Sequence, residues 1–421
     1  MSERPTPILL AALAAVALAV PAAAGGAPGG GAAPDSTAPA AAPVRPAHVD
    51  SVESAPAPLL VPGRPATPDT LHRSRLQRAR DEYQLGRAFE RRGSPAAAIA
   101  AYRSAVRLDP TIPDANYRMG MLFVGVGQDQ EGVKCFGAEV QAHPGNVAAT
   151  RELGLALART GQADAAIVQL ERLTRRRPND GDSWQALGFA YMAAKRPRDA
   201  EIALRRAVVL PPPRADKHRD LGSVLAARDK PDEARQQYQR AIALDPRDAT
   251  AWINLGNIER HAGRLEEALE DYREAEKRDS TLGLAFQAQV QTLRELGRTD
   301  EAAQLYRRWL RDQPGDLNAR LEAVRFFTAG GRTDIALELA RDGVRHNDAS
   351  TEAHLILGMA LEAGGSTRVA LGEMRKAEGL ARSAEERQRA RQLIAALRAG
   401  APDSLKALFA ADSSEHAQAV R

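Results

Sequence analysis

The chain has one cysteine, Cys135, so no disulfide can form within it. Its place beside Phe136 in a helical pattern is that of a small packed residue rather than a reactive thiol. Aromatic side chains make up only 4% of the 421 residues, too few for the core of a sandwich or barrel. Apolar content of 44% still supports a substantial folded part built on Ala and Leu. Charge of one sign is lacking too. The formal net charge is +4 with a pI near 9.3, but Lys and Arg are interleaved with Asp and Glu. That pattern gives no concentrated basic face and speaks against a nucleic-acid partner. The densest basic run, Arg175-Arg176-Arg177, is short. It reads as a solvated helix end that complements the dipole, the alternative being a phosphate or anionic-lipid contact.

Catalytic signatures are missing as well. No His-Glu-x-x-His motif occurs, and among the dispersed histidines His261 and His354 have no partner ligands at metal spacing. Gly125-Val126-Gly127 is a helix turn rather than a strand-to-helix junction, so it is no phosphate cradle. No serine sits in a nucleophile elbow, and carboxylate pairs such as Glu266-Glu267 read as exposed helix faces. The expectation is a chain that is not an enzyme and binds no metal or cofactor.

The one long apolar run, residues 8–20, falls short of the ~20 residues that span a bilayer comfortably. It follows a short segment containing Arg4 and is ended by Pro21 and Ala22-Ala23-Ala24, the pattern of a secretory signal cleaved near Ala24. The alternative is an uncleaved anchor. With no cysteine at the end of the run, lipid attachment there is excluded. Residues 25–78 are rich in Ala, Pro and Gly and hold few large apolar side chains, so they are expected to be a disordered linker. Such a chain has an end-to-end distance of roughly 40 Å, stiffened further by its prolines.

The positive content of the sequence is periodic. Gly86, Gly120, Gly154, Gly188, Gly222 and Gly256 are each 34 residues apart. Small residues keep the same step from Ala98 and Gly132 through Ala166 to Ala370. Prolines do so from Pro110 to Pro246 and again at Pro314, and large apolar residues from Tyr102, Phe136, Leu170 and Leu204 to Tyr306. Four ladders in one register without an insertion mark a repeat array. In the unit of residues 147–180, Leu153, Gly154 and Leu157 line a first helix, and Ala166, Leu170 and Leu173 a second. The pairing of Gly154 with Ala166 suggests close approach of two backbones. Gly93, Gly127, Gly161, Gly263, Gly297, Gly331 and Gly365 fall at the turns, where positive φ is needed. Asn146, Asp180, Asp248, Asp316 and Ser350 are placed as N-caps, each contributing about 1 kcal/mol.

Trp184, Leu187, Gly188, Tyr191, Ala200, Leu204, Ala207 and Pro212 resemble the tetratricopeptide repeat (TPR) pattern almost completely. Trp252, Leu255, Gly256, Ala268, Tyr272 and Ala275 resemble it again. The resemblance implies an all-α, right-handed α-solenoid of about nine helix-turn-helix units over residues 79–384. Leu393, Ile394 and Leu397 then mark a capping helix over 385–399, before a flexible tail over 400–421 in which Leu405, Leu408 and Phe409 could form one amphipathic turn. Val290 and Val324 interrupt the glycine ladder, Ser280 the proline ladder, and Glu259 stands at a large apolar position. These departures predict a change of pitch or a hinge near 278–290, with the valines pushing paired helices apart.

By the same resemblance the first helices line a concave groove. Its early contact positions are Tyr83, Tyr117, Met121, Leu155, Phe189 and Met192, where exposed apolar side chains suit a protein or peptide partner. Packing against a neighbouring unit is the other reading of Leu155 and Met192. Further along, Arg219, Ser223, Asn254, Asn257, Arg260, His261, Gln287, Gln291 and Arg294 offer hydrogen bonds to a peptide backbone, a sugar chain or an acidic segment, plain solvation being the alternative. Arg219 and Asn254 match part of a carboxylate clamp found in the family. Leu284 and Ala288 stand where its basic residues would be needed, so that clamp is not supported. The expected function is a non-catalytic scaffold, exported to the periplasm or cell exterior, that joins a cell-envelope assembly complex. A membrane-tethered adaptor and a polysaccharide-binding export component are the alternatives.

Overall fold

A computed structural model describes residues 68–281 and 283–400, with side chains from residue 74 onward. The expected signal segment, the linker up to residue 67, and the tail with Leu405, Leu408 and Phe409 lie outside the described residues. Every described element is a helix. Pairs form in chain order: α1 (Pro68–Arg91) with α2 (Pro95–Leu108), α3 (Ala115–Gly125) with α4 (Asp129–Ala142), and α5 (Val147–Arg159) with α6 (Ala163–Arg176). They continue as α7 (Gly181–Ala193) with α8 (Pro197–Val209), α9 (Ala215–Ala227) with α10 (Pro231–Leu244), and α11 (Ala249–His261) with α12 (Leu265–Arg278). The last pairs are α13 (Gly283–Glu295) with α14 (Thr299–Asp312), α15 (Leu317–Ala329) with α16 (Thr333–His346), and α17 (Thr351–Ala363) with α18 (Thr367–Leu380). A final helix, α19 (Ala384–Arg398), buries Leu393, Ile394 and Leu397.

Helix begins at Pro68, so the linker expected through residue 78 stops earlier. Proline at a first helical position loses no hydrogen bond, because that amide has no partner in any helix. The chain divides into two compact units, Met1–Gln237 and Tyr238–Arg421, and the division falls inside α10. It lies upstream of 278–290, where the sequence predicts a change of pitch.

Turns and caps follow from residue chemistry. All seven turn glycines take φ between 68° and 79°. Lys195 and Asp229 adopt the same conformation, each at φ 58°, in the two units that lack the glycine. The side chains of Asn146, Asp180, Asp248, Asp316 and Ser350 each accept a backbone N–H from the first turn of their helix. Ser383 does the same for Glu386 and opens α19.

The glycine ladder approaches the small residues as its spacing suggests, a Cβ on Gly358 lying 3.4 Å from the Ala370 carbonyl and one on Gly132 lying 3.5 Å from the Gly120 carbonyl. It also admits a large residue, since a Cβ on Gly154 would lie 2.5 Å from Leu170 Cγ. Gly86 meets Tyr102, Gly120 meets Phe136 and Gly188 meets Leu204 in the same way. In the second unit Gly256 meets Tyr272, and Gly358 meets Met374. One helix thus gives up its side chain so that a large apolar residue of its partner can be buried against bare backbone. The helices of the Val290 pair meet less extensively than those of the glycine pairs, as the sequence predicts, and so, to a smaller degree, do the helices paired at Val324. Ala340 occupies the large-residue position facing Val324, and both are fully buried. Size has been exchanged between the two helices, which conserves core volume. At Val290 the large Tyr306 is kept, and it packs edge-on to Phe286 with ring centroids 5.3 Å apart.

Candidate partner-binding site

On the first helices of the amino-terminal unit, side chains alternate between full and partial burial in a fixed register. On α3, Met119 and Gly120 are buried, whereas Tyr117 and Met121 are half-buried and share a face at i, i+4. Tyr83 on α1, Leu155 on α5 and Phe189 on α7 are half-buried at equivalent places, and Met192 is half-buried three residues after Phe189, in the register of Val124. The large residues of the apolar ladder brace this face from beneath. The Tyr83 ring lies 5.5 Å from Tyr102, and Tyr117 lies 5.9 Å from Phe136.

Charges on this face are largely balanced within the protein. Arg118 Nε donates to the Tyr83 hydroxyl at 3.0 Å, and its Nη1 donates to Glu90 at 3.1 Å. Tyr102 also donates to Glu90, and burial together with that bond pushes its phenol well above the ordinary range. Arg159 pairs with Asp129 at 2.8 Å, while Arg151 lies 3.9 Å from both Glu152 and Asp180. Burial raises the Glu152 carboxyl, with Arg151 and Arg159 pulling it back down. Burial likewise raises the Tyr117 phenol, helped by Glu152. Apolar and aromatic groups among already paired charges suit the apolar side chains of a partner better than a strong anion.

The polar residues read further along the chain divide between the two compact units. Arg219 belongs to the first, where its backbone carbonyl accepts Ser223 Oγ at 3.1 Å and its Nε lies 3.8 Å from Asp220. In the second unit Asn254 is not a surface group. It is 4% exposed, and its buried Nδ2 has no hydrogen-bond partner. Arg118 and Glu152 hold the same repeat position and stay half-buried, so it is the local packing that removes Asn254 from the exposed set. Asn257 accepts the Tyr272 hydroxyl at 2.7 Å. Arg260 Nη1 and Gln291 Nε2 converge on Glu295 Oε1, at 2.8 and 2.9 Å. Arg294 lies over the Phe326 ring, 5.3 Å from its centroid. Partial burial of its ring, together with the nearby Arg260 charge, lowers the His261 pKa. Glu295 and Phe326 were missed in the sequence, although Glu295 keeps the repeat register of Arg159 and His261. Arg260 and Gln291 are therefore brought together on Glu295, while Arg294 has a separate partner in Phe326.

One cleft, of about 370 Å³, lies where Ser280 replaces the ladder proline, and is lined by Glu276, Thr281, Arg308 and Trp309 among others. Trp309 occupies a place held by alanine in several units and stacks on Phe286, with centroids 4.4 Å apart and planes at 14°. Among the described residues no group of three or more His, Cys, Asp or Glu is placed to hold a metal ion. No described helix is long and apolar enough to cross a membrane.

A tetratricopeptide repeat model matches residues 82–113, 117–180 and 219–282, and a second such model matches 285–317. The matched stretches follow six of the helix pairs, with α7, α8 and α15 to α19 outside them. The chain is a tetratricopeptide repeat protein. No curated protein matches it. Similar solved structures include MamA from Desulfovibrio magneticus RS-1, 24% identical over 41% of this chain and 97% of that one, with a TM-score of 0.37. A thermophilic TPR protein of Thermus thermophilus, TTC0263, is 20% identical over 43% and 98%, with a TM-score of 0.36. The pilF protein of Pseudomonas aeruginosa is 15% identical over 52% and 99%, with a TM-score of 0.43. As a TPR protein the chain is built as a protein–protein interaction scaffold, a fold that is generally non-catalytic and binds protein or peptide partners.

Proposed function

We propose that this TPR protein is an exported scaffold of the cell envelope that captures a protein or peptide segment on the first-helix face of its amino-terminal unit. The observation that carries the reading is the register of half-buried Tyr83, Tyr117, Met121, Leu155 and Phe189 on successive first helices, beside neighbours that are fully buried. Contiguous apolar groups left partly open in a repeating row are the usual mark of a binding surface. Arg219 adds hydrogen-bonding capacity for a peptide backbone in the same unit, and Asn257, Arg260, Gln291 and Arg294 offer it separately on the first helices of the carboxy-terminal unit. Export rests on the apolar run at residues 8–20 and the small residues that follow it.

The test is a crosslinked pull-down from native envelope extract, comparing wild type with a Tyr117→Ala, Met121→Ala, Phe189→Ala variant of matched helicity. A protein captured by wild type and lost by the variant supports the assignment. Equal capture by both moves the site to the polar residues of the carboxy-terminal unit or to the second-helix face. Capture of no protein, with retention of envelope polysaccharide, replaces the reading. Intact mass of the native protein tests export, since loss of the first 24 residues is the expected outcome and a full-length mass would mean a retained anchor.

A further inference from the structure

The repeat register exposes an unfilled socket at the beginning of the array. Leu85 on α1 is 46% exposed, whereas Met119, Leu153, Leu187 and Leu221, the same position in the next four units, are at most 8% exposed. In those units the position packs against the repeat before it. Met119, for example, shares a core with Ala98, Tyr102 and Ala105 of the preceding pair. Leu85 has no described repeat before it. It lines a cleft of about 270 Å³ with Phe89 on α1 and Ala97, Ala100 and Ala101 on α2. The cleft is mainly apolar, with Glu82 and Ser104 also in its lining; Arg78 is exposed one heptad before Leu85 on α1, and Arg92 is exposed in the turn just after the helix. The pair that forms it is well anchored, because Arg75 donates to the carbonyls of Leu108 and Arg107 at 2.8 and 3.2 Å.

We propose that residues 49–61 of this same chain fill the cleft, with Leu59-Leu60-Val61 as the apolar anchor, and so serve as the amino-terminal cap of the array. Three observations select this occupant. The segment holds most of the large apolar side chains between residues 25 and 67, namely Val49, Val52 and the Leu-Leu-Val triplet. Its reach is right. The turn from Glu82 to Phe89 lies about 21–32 Å along α1 from Pro68 at 1.5 Å per residue. A Pro-rich chain at about 3.1 Å per residue carries Val61 about 22 Å and Val49 about 59 Å from the same point. Its charge also fits, since Asp50 and Glu53 would come beside Arg78 and Arg92. The opposite end of the array makes a poor substitute for this segment. The outward positions of α19, among them Gln388, Arg391, Gln392 and Arg398, are exposed and polar, so a second copy stacking head to tail would bring no apolar face. An open repeat end is a place where arrays require a cap.

The test compares amide hydrogen exchange in the full chain with that of a Leu59→Ser, Leu60→Ser, Val61→Ser variant, whose changes lie outside the described residues. Amides of residues 82–104 should exchange at least about tenfold faster in the variant, while those of α5 to α8 stay unchanged. Equal exchange in the two proteins overturns the proposal. In a Cys135→Ser background, Leu60→Cys with Ala100→Cys should give an intramolecular disulfide on mild oxidation. A disulfide-linked dimer, or a wild-type protection that disappears on dilution, overturns it in favour of a second copy. Absence of any disulfide overturns it as well.

Discussion

Gly154→Ala tests how the helix pairs are made. In solvent-exposed helices the change is favourable by about 1 kcal/mol, since alanine is the better helix former. Here the new Cβ would sit 2.5, 2.6 and 2.8 Å from Cγ, Cδ1 and Cδ2 of Leu170, whose side chain is fully buried. Three such contacts force Leu170 off its rotamer or the helices apart, an overpacking cost of about 1–3 kcal/mol. The net expectation is a loss of about 1 kcal/mol or more. Leu170→Ala alone should cost about 2–5 kcal/mol through its cavity. The double variant should cost no more than Leu170→Ala by itself, because the clash is gone and the helix gain returns. A repeat array need not unfold as one unit, so a urea curve should be read together with hydrogen exchange of α5 and α6. Strict additivity of the two changes, or a stabilising Gly154→Ala, would refute the argument that glycine is there to admit Leu170.

The exchange of size at Val324 and Ala340 predicts that Val324→Gly destabilises by about 2 kcal/mol through loss of buried volume and helix propensity. Adding Ala340→Leu should recover most of that in thermal melts, and no recovery would count against the exchange. Burial, with Glu259, Glu270, Glu267 and Glu274 nearby, pushes the Asp271 carboxyl up to about 7. A folded-state value above the unfolded one of about 3.9 means that stability is greatest at acid pH and is lost as pH rises toward and through 7. Asp271→Asn should therefore stabilise the protein by about 1–2 kcal/mol at pH 8, after allowance for solvent screening, and by little at pH 4; an equal effect at both pH values would exclude the cause given. Burial, with Glu131 beside it, also pushes the Cys135 thiol up to about 11. Native Cys135 should thus react with a thiol reagent at pH 8 about two orders of magnitude more slowly than a free cysteine, and comparable rates would show an accessible thiolate.

Much of the fold could be read from the chain because a 34-residue repeat states each rule many times. Caps and turns are local. A side-chain oxygen at the helix entrance or a glycine at positive φ acts within three or four residues, so Asn146 and Gly161 could be placed without knowing any partner. The face carrying Tyr117 and Met121 was legible for the same reason, as i, i+4 spacing fixes which side of a helix they share. The start of α1 was obscured by proline and by a composition that shades from linker into helix. Asn254 was misplaced because polarity alone does not say whether an amide faces solvent or the seam of a pair.

The sequence by itself determined the helices, their punctuation, their number and the family, since each depends on spacing along one chain. Only the tertiary structure decided what each repeated residue touches. It showed that Gly154 also admits Leu170, and that Ala340 makes room for Val324. It also paired Arg118 with Glu90 across successive units and left Leu85 uncovered while its counterparts are buried. Those relations join residues on different helices, and their distances are set by how helices pack, which periodicity along the chain does not encode.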